Sequence, residues 1–380
     1  MKSAVKTHFQ ISPHRQPRGV FFALALASVC GLTVATGATA QAGGPDSYPG
    51  IRYESAYSES MGGVTVPLAD EVGNSLFNNP AGLARSDKFK AEYLNLNLDA
   101  NNNFLSNIGA GTTKMTTLSG LQPTLNANQN QIFNSGISEL TALSWGGTNT
   151  YYKTVSQTIP TVGYGLSLAR GVVRLGYSLQ YVNESEGSES IPNSQSGAAF
   201  LSGLSQGHAF SHTASVNFVL PFQYLPTFSV VGRNLFGLHY TAGDILPRAQ
   251  DASGLPADES MSVDMALGFT TRISGPMKAN WYVQYQDATN SIGLPIMQKL
   301  GLGANLGLSQ AFSVRAGFTG NQFSAGFGYK SEASEINLAW YHEQSPFPTV
   351  SYWDTRYTLQ YKLYFQDRNT RNRDSERQAK

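Results

Sequence analysis

The sequence predicts an all-β fold, an antiparallel transmembrane β-barrel of twelve to fourteen strands. Three observations carry this. Charged residues make up only 13% of the 380-residue chain, while Gly (38), Tyr (19) and Phe (20) are abundant; soluble domains carry about 25% charge. Only one long apolar run exists, Gly19 to Gly37, whereas a polytopic helical membrane protein needs several runs of about 20. Apolar residues alternate with Gly, Ser, Thr, Asn and Gln at period two in segment after segment, and successive strand side chains point to opposite faces.

The apolar run has basic residues before it (Lys2, Lys6, Arg15, Arg18) and Ala38-Thr39-Ala40 after it. This is the order of a secretory signal peptide, with residues 1–40 removed. Cys30, the only cysteine, falls inside it, so the mature chain has no disulfide framework. Cleavage takes four of the 26 basic residues and none of the 25 acidic ones. The remainder is slightly acidic, which argues against a nucleic-acid partner.

The barrel spans 88–365. Val263, Met265, Leu267 and Phe269 alternate with Asp264, Ala266, Gly268 and Thr270, and Leu175, Tyr177, Leu179 and Tyr181 with Gly176, Ser178 and Gln180. A face of small and uncharged polar residues suits a wet lumen, and the apolar face suits lipid. Twelve such strands lie near 88–99, 160–170, 172–184, 210–220, 226–235, 261–273, 278–287, 298–309, 311–319, 323–331, 335–344 and 354–365. With the N-terminus in the periplasm, the long connections 100–159, 185–209, 236–260 and 288–297 all face outward. This is the arrangement of an outer-membrane barrel of a Gram-negative bacterium, with outer-membrane lipid around it. Residues 100–159 are too long for a structureless loop. Leu118, Leu121, Leu125, Ile132, Ile137, Leu140 and Leu143 recur there at roughly helical spacing and predict one or two amphipathic helices; two further strands are the alternative. The last strand ends on an aromatic, and Tyr361, Leu363 and Phe365 form a signal for the outer-membrane insertion machinery. Residues 366–380 are polar and predict a disordered periplasmic tail, either solvated or touching a periplasmic partner.

The segment 41–87 precedes the first strand. It contains Met61-Gly62-Gly63-Val64, then Leu68-Ala69-Asp70-Glu71, then Phe77-Asn78-Asn79-Pro80-Ala81-Gly82-Leu83-Ala84. Met61-Gly62-Gly63 makes a compact bend. Asn79 suits a helix cap, Pro80 the first helical position, and Gly82 close backbone approach. Asp70 and Glu71 suit a cap or an ion pair with Arg174, Arg233, Arg272 or Arg315. The stretch resembles the opening of the FadL-like family of outer-membrane hydrophobic-compound transporters, with Glu71 in place of that family's second Asp. The resemblance covers 61–84. It implies that 41–87 is a hatch folded into the lumen and that Asn79, Pro80 and Ala81 can rearrange on ligand binding. It also implies a substrate class, hydrophobic small molecules such as long-chain fatty acids.

Apolar residues in the connections predict an external capture groove: Phe104, Leu105, Phe236, Leu238 and Tyr240, with Ile108, Ile245 and Leu246. Val231-Gly232-Arg233 interrupts the alternation, so Gly232 is a candidate wall kink. No catalytic set can be assembled. His208 and His212 share a strand face but lie too far apart for one metal. The expectation is no enzyme, no metal and no cofactor. A second reading is a non-transporting barrel that binds a partner in envelope assembly or secretion.

Overall fold

A computed structural model describes residues 53–68, 73–85, 90–106, 111–122, 124–125, 128–145, 149–192, 204–222, 224–242, 254–274, 277–291, 293–320, 322–344 and 353–366. The leader expected over 1–40, Asp70, Glu71 and the tail beyond Gln366 lie outside the described residues.

Among the described residues the wall consists of β1 (Lys90–Asn101), β2 (Gly111–Gln122), β3 (Thr124–Leu125), β4 (Asn128–Trp145), β5 (Asn149–Leu168), β6 (Val173–Pro192), β7 (Ser205–Val219), β8 (Thr227–Arg233), β9 (Ser262–Ser274), β10 (Met277–Tyr285), β11 (Leu300–Gly307), β12 (Phe312–Thr319), β13 (Gln322–Lys330), β14 (Ser334–Gln344) and β15 (Trp353–Gln366). Each long strand pairs antiparallel with its sequence neighbour; β1 pairs β15 and β2 pairs β4, so the sheet closes on itself. β3 is a two-residue extension at the β2–β4 turn. Fourteen long strands therefore form the ring. Closure gives each long strand a neighbour on both sides and leaves no edge, the condition for a sheet in lipid.

The helices expected in 100–159 are replaced by β2, β4 and the start of β5, apart from one short helix, α2 (Asn102–Ser106). Leucines three and four apart mimic a helical stripe, but Thr112, Thr113, Thr116 and Thr117 just before them are β-branched and favour the pleated state. Adding two strands preserves the parity, so the connection 102–110, the segment 193–204 and the segment 234–261 still open on one end. The turns 169–172, 275–276 and 308–311 still close the other.

Alternation is plain in β15. Arg356, Thr358, Gln360, Lys362 and Tyr364 are buried in the lumen, while Tyr357, Leu359 and Phe365 are exposed on the outside. Cross-strand neighbours continue the outer belt: Tyr164 opposite Tyr177, Phe218 opposite Phe228, and Leu338 opposite Leu359. An exposed apolar surface of this extent needs lipid around it. β5 and β6 run for 20 residues each, about twice what the hydrocarbon requires, and project past it on the long-loop side. Pairing of β5 with β6 skips from Thr158↔Asn183 to Thr161↔Gln180. Pro160 sits in that gap and has no N–H to donate.

Candidate functional site

The pre-strand segment lies inside the ring in two described pieces, 53–68 and 73–85. The first begins with a four-residue helix, α1 (Ala56–Glu59), opened by a Ser55–Ser58 capping box. After it the chain turns at Gly62 (φ 73°) and Gly63 (φ 68°), a left-handed conformation that glycine adopts at little cost. Gly62 is also pressed on the wall: a Cβ there would lie 2.7 Å from the Phe318 backbone nitrogen. The wall answers with its own glycines. A Cβ on Gly317 would come within 2.0 Å of the Met61 carbonyl carbon, and one on Gly303 within 2.9 Å of the Met61 Cβ. Polar wall groups then fix the piece in place. The Gly62 N–H donates to Ser324 Oγ (2.8 Å), and the Thr65 and Val66 N–H groups both donate to Gln284 Oε1 (2.8 Å each). Asn305 donates to the Tyr57 hydroxyl (2.9 Å), and the Arg315 guanidinium lies 4.0 Å over the Tyr57 ring.

Charge gathers on the other flank of this piece. Lys114 of β2 pairs with Glu54. Arg356 of β15 pairs with Asp99 of β1 (2.9 Å) and Glu343 of β14 (2.9 Å). Glu59 lies among these groups. Burial pushes its carboxyl well above the ordinary 4.5, Glu54 and Glu343 push it further, and Lys114 partly opposes them.

The second piece is a π-helical turn (Asn74–Asn78) followed by a 3-10 turn (Pro80–Arg85). It rests on β5 and β6, again over glycines: a Cβ on Gly176 would lie 1.9 Å from the Ala81 nitrogen, and one on Gly163 would lie 2.3 Å from a Leu76 methyl. Asn79 does not cap the turn. The Ala81 N–H, an early donor of the turn, is taken by Ser215 Oγ of β7 (2.7 Å), and Pro80 has none to offer. The Asn79 Nδ2 donates to Val66 O (2.6 Å) and Asn217 Oδ1 (3.0 Å), tying the two pieces to each other and to the wall. Asn78 accepts from Arg233 (2.9 Å), whose Nε donates to Asp264 (2.8 Å). The Arg233 reading as a partner for Asp70 or Glu71 is therefore replaced by a wall pair, Arg233–Asp264.

Above this piece the lumen holds an apolar cluster. Tyr53, Leu76, Phe77 and Leu83 come from the two pieces, Leu118, Ile159, Val182 and Ala209 from the wall, and Leu238 and Tyr240 from the connection after β8. Tyr53 and Phe77 stack at 6.0 Å. The Tyr240 hydroxyl donates to Glu184 (2.7 Å).

The five capture residues do not form one groove. Leu238 and Tyr240 are buried in the lumen. Phe236 is exposed and meets His212 edge-on at 5.2 Å on the outer face. Phe104 and Leu105 border a groove of about 920 Å³ on the outside of the wall, with Leu98, Met115, Trp340 and Tyr357. Composition alone cannot separate these places, because a connection can fold inward or lean on the belt. The kink expected at Gly232 is absent as well. β8 pairs without interruption through Gly232 to both β7 and β9, since glycine keeps both ladder groups, and the chain turns after it at Asn234 (φ 46°) and Gly237 (φ 74°). Tyr361, Leu363 and Phe365 lie on the outward face of the closing strand β15. In the outer connection, the hydrogen bond from His239 holds the Asp258 carboxyl below its ordinary value. Among the described residues no group of three or more His, Cys, Asp or Glu is placed to hold a metal.

Sequence reasoning missed Gln284, Ser215 and Asn217 as contacts of the inner segment. The signal available was the inward row of glycines in β5, β6, β11 and β12, where a wall needs bare backbone only if something lies against it.

No family model matches the chain, and no curated protein matches it. Solved structures do. The TodX deltaS2S3 mutant, a monoaromatic hydrocarbon channel, superposes with a TM-score of 0.53 at 11% identity, covering 83% of this chain and 98% of that one. The TodX deltaS2 mutant gives 0.52 at 13% identity, covering 84% and 100%. The CymD monoaromatic hydrocarbon channel gives 0.50 at 11% identity, also covering 84% and 100%. At these identities the likeness is one of fold.

Proposed function

We propose that the chain is an outer-membrane channel for small hydrophobic molecules, related to the FadL-like transporters, with residues 41–87 as its hatch. The carrying observation is the apolar cluster inside the lumen, where Leu76, Phe77 and Leu83 meet Ile159, Val182, Leu238 and Tyr240. A pore for hydrated solutes has no use for such a surface, whereas apolar ligands are held by mostly apolar pockets with a few placed polar groups. The fold shared with TodX and CymD, channels named for monoaromatic hydrocarbons, makes aromatic compounds the first substrates to try and long-chain fatty acids the second.

In this reading the hatch prevents free diffusion. A ligand entering beside Leu238 and Tyr240 competes for the apolar faces of Leu76 and Leu83 and favours a shifted second piece. Exit into the bilayer is easiest where the ladder is already broken, at Pro160, with Ile159 and Val182 behind it. Uptake of radiolabelled toluene and of radiolabelled oleate by a deletion strain, with and without the gene restored, tests this. Restoration should raise uptake of at least one several-fold over the deletion strain. Equal uptake of both compounds in the two strains sinks the proposal.

A further inference from the structure

We propose that the wall above the hatch carries a hydrogen-bonding subsite at Gln180, so that the channel prefers an apolar molecule bearing one neutral oxygen, a phenol or alcohol, over a hydrocarbon of the same shape. This rests on the channel reading above and refines its substrate class.

Three inward-facing side chains on β6 and β7 carry the argument. Gln180 and Ser178 are fully buried and Thr213 is 1% exposed. The Gln180 Nε2 and Oε1, the Ser178 Oγ and the Thr213 Oγ1 have no hydrogen-bond partner among the described residues. They form one patch, because Ser178 stands opposite Thr213 and Gln180 follows two positions along the same face of β6. The neighbours of Gln180 are committed elsewhere. Thr161 donates its hydroxyl to Ile159 O (3.1 Å) and Ser211 to Asn234 Oδ1 (2.6 Å).

The patch is apolar on two sides, below Ser178 and beyond Gln180. Ser178 is opposite Gly163, over which the Leu76 and Leu83 methyl groups sit. The next inward position beyond Gln180 is Val182, opposite Ala209. A buried amide without a partner is costly, and a leucine would fill this wall without that cost. A carboxamide and two hydroxyls can each donate and accept, so together they match a hydroxyl group. A carboxylate fits them less well: the Arg233 Nη2 has no partner among the described residues, but the Arg233 charge is already balanced by Asp264, and a buried anion needs a counter-charge of its own. An apolar ligand that lifts Leu76 and Leu83 off the wall would meet these three groups first.

The test uses the full-length protein in detergent micelles and the near-isosteric pair p-cresol and p-xylene, followed by calorimetric titration. Comparing the affinity ratio in wild type and variants cancels the partition of each compound into detergent. The ratio of p-cresol to p-xylene affinity should be roughly tenfold higher in wild type than in Gln180→Leu, chiefly through weaker p-cresol binding in the variant, and Thr213→Val should fall between them. Heat-modifiable gel mobility checks that each variant folds, and the two variants fail independently. A ratio unchanged from wild type in both folded variants overturns the subsite and leaves the channel reading standing. Binding of neither compound, with no uptake difference in the deletion strain, overturns both.

Discussion

The two pieces of the hatch are seated by different physics. Piece 53–68 is pinned by directional bonds. Its backbone donates to Ser324 and Gln284, its Tyr57 hydroxyl accepts from Asn305, and its Glu54 pairs with Lys114. Piece 73–85 is bonded to Ser215, Asn217 and Arg233 of the wall. Its remaining contact is greasy, through Leu76, Phe77 and Leu83. Hydrogen bonds to fixed wall groups fail steeply with displacement, whereas apolar contact is non-directional and can be traded for a ligand's surface. In the proposed channel the first piece is then the anchor and the second the exchangeable part.

The sharpest way to break this comparison is to remove the room each piece occupies. Gly317→Val and Gly176→Val place a Cβ within 2.0 Å of Met61 backbone and 1.9 Å of Ala81 backbone. No flexible side-chain end can yield there, so each piece should be unseated outright. Gly317→Val should release the anchor and give steady ion conductance in planar bilayers. Gly176→Val should leave the anchor in place, conduct little and alter ligand uptake instead. Equal conductance from the two variants would show that the pieces are not separable.

A smaller effect tests the wall ion pair whose arginine also holds the second piece through Asn78. Arg233 and Asp264 are 1% and 3% exposed, and removing one partner of a buried ion pair typically costs about 3–5 kcal/mol. Asp264→Leu should destabilise the barrel by about that amount in detergent urea titrations. It should also loosen Asn78, which shares the Arg233 guanidinium. The double variant Arg233→Met/Asp264→Leu should recover most of the barrel stability without restoring the Asn78 contact. Recovery of both would mean that Arg233 does not hold the hatch.

The barrel was legible in the sequence because its cause is local. A strand that faces lipid on one side and a wet lumen on the other must alternate, as Val263 to Thr270 do. The count stayed open between twelve and fourteen only over 100–159, where the leucine spacing imitates a helix; the two further strands are the alternative that the structure shows. The inner segment stood out as a motif, but its contacts did not. Asn79 reads as a cap from its neighbours, and only the long-range arrival of Ser215 takes that role away. Likewise nothing local distinguishes Leu238, which folds into the lumen, from Phe236 two residues earlier, which stays outside.

The mildest test returns to the anchor and concerns pH. Glu59 is held above the ordinary carboxyl value of 4.5 first by burial, then by Glu54 of the hatch and Glu343 of β14, with Asp99 of β1 adding to this and Lys114 of β2 opposing it. A raised carboxyl means that the seated hatch disfavours the ionised form. The penalty is full above the raised value and disappears as pH falls through it toward 4.5. Anchoring should therefore tighten on acidification, read as slower protease cleavage within 53–68 between about pH 8 and about pH 5. Glu59→Gln is uncharged throughout. It should protect the hatch at the upper pH as well and flatten the part of the profile that Glu59 sets. A dependence in Glu59→Gln as steep as in wild type, or steeper, would remove Glu59 as the source of the pH response.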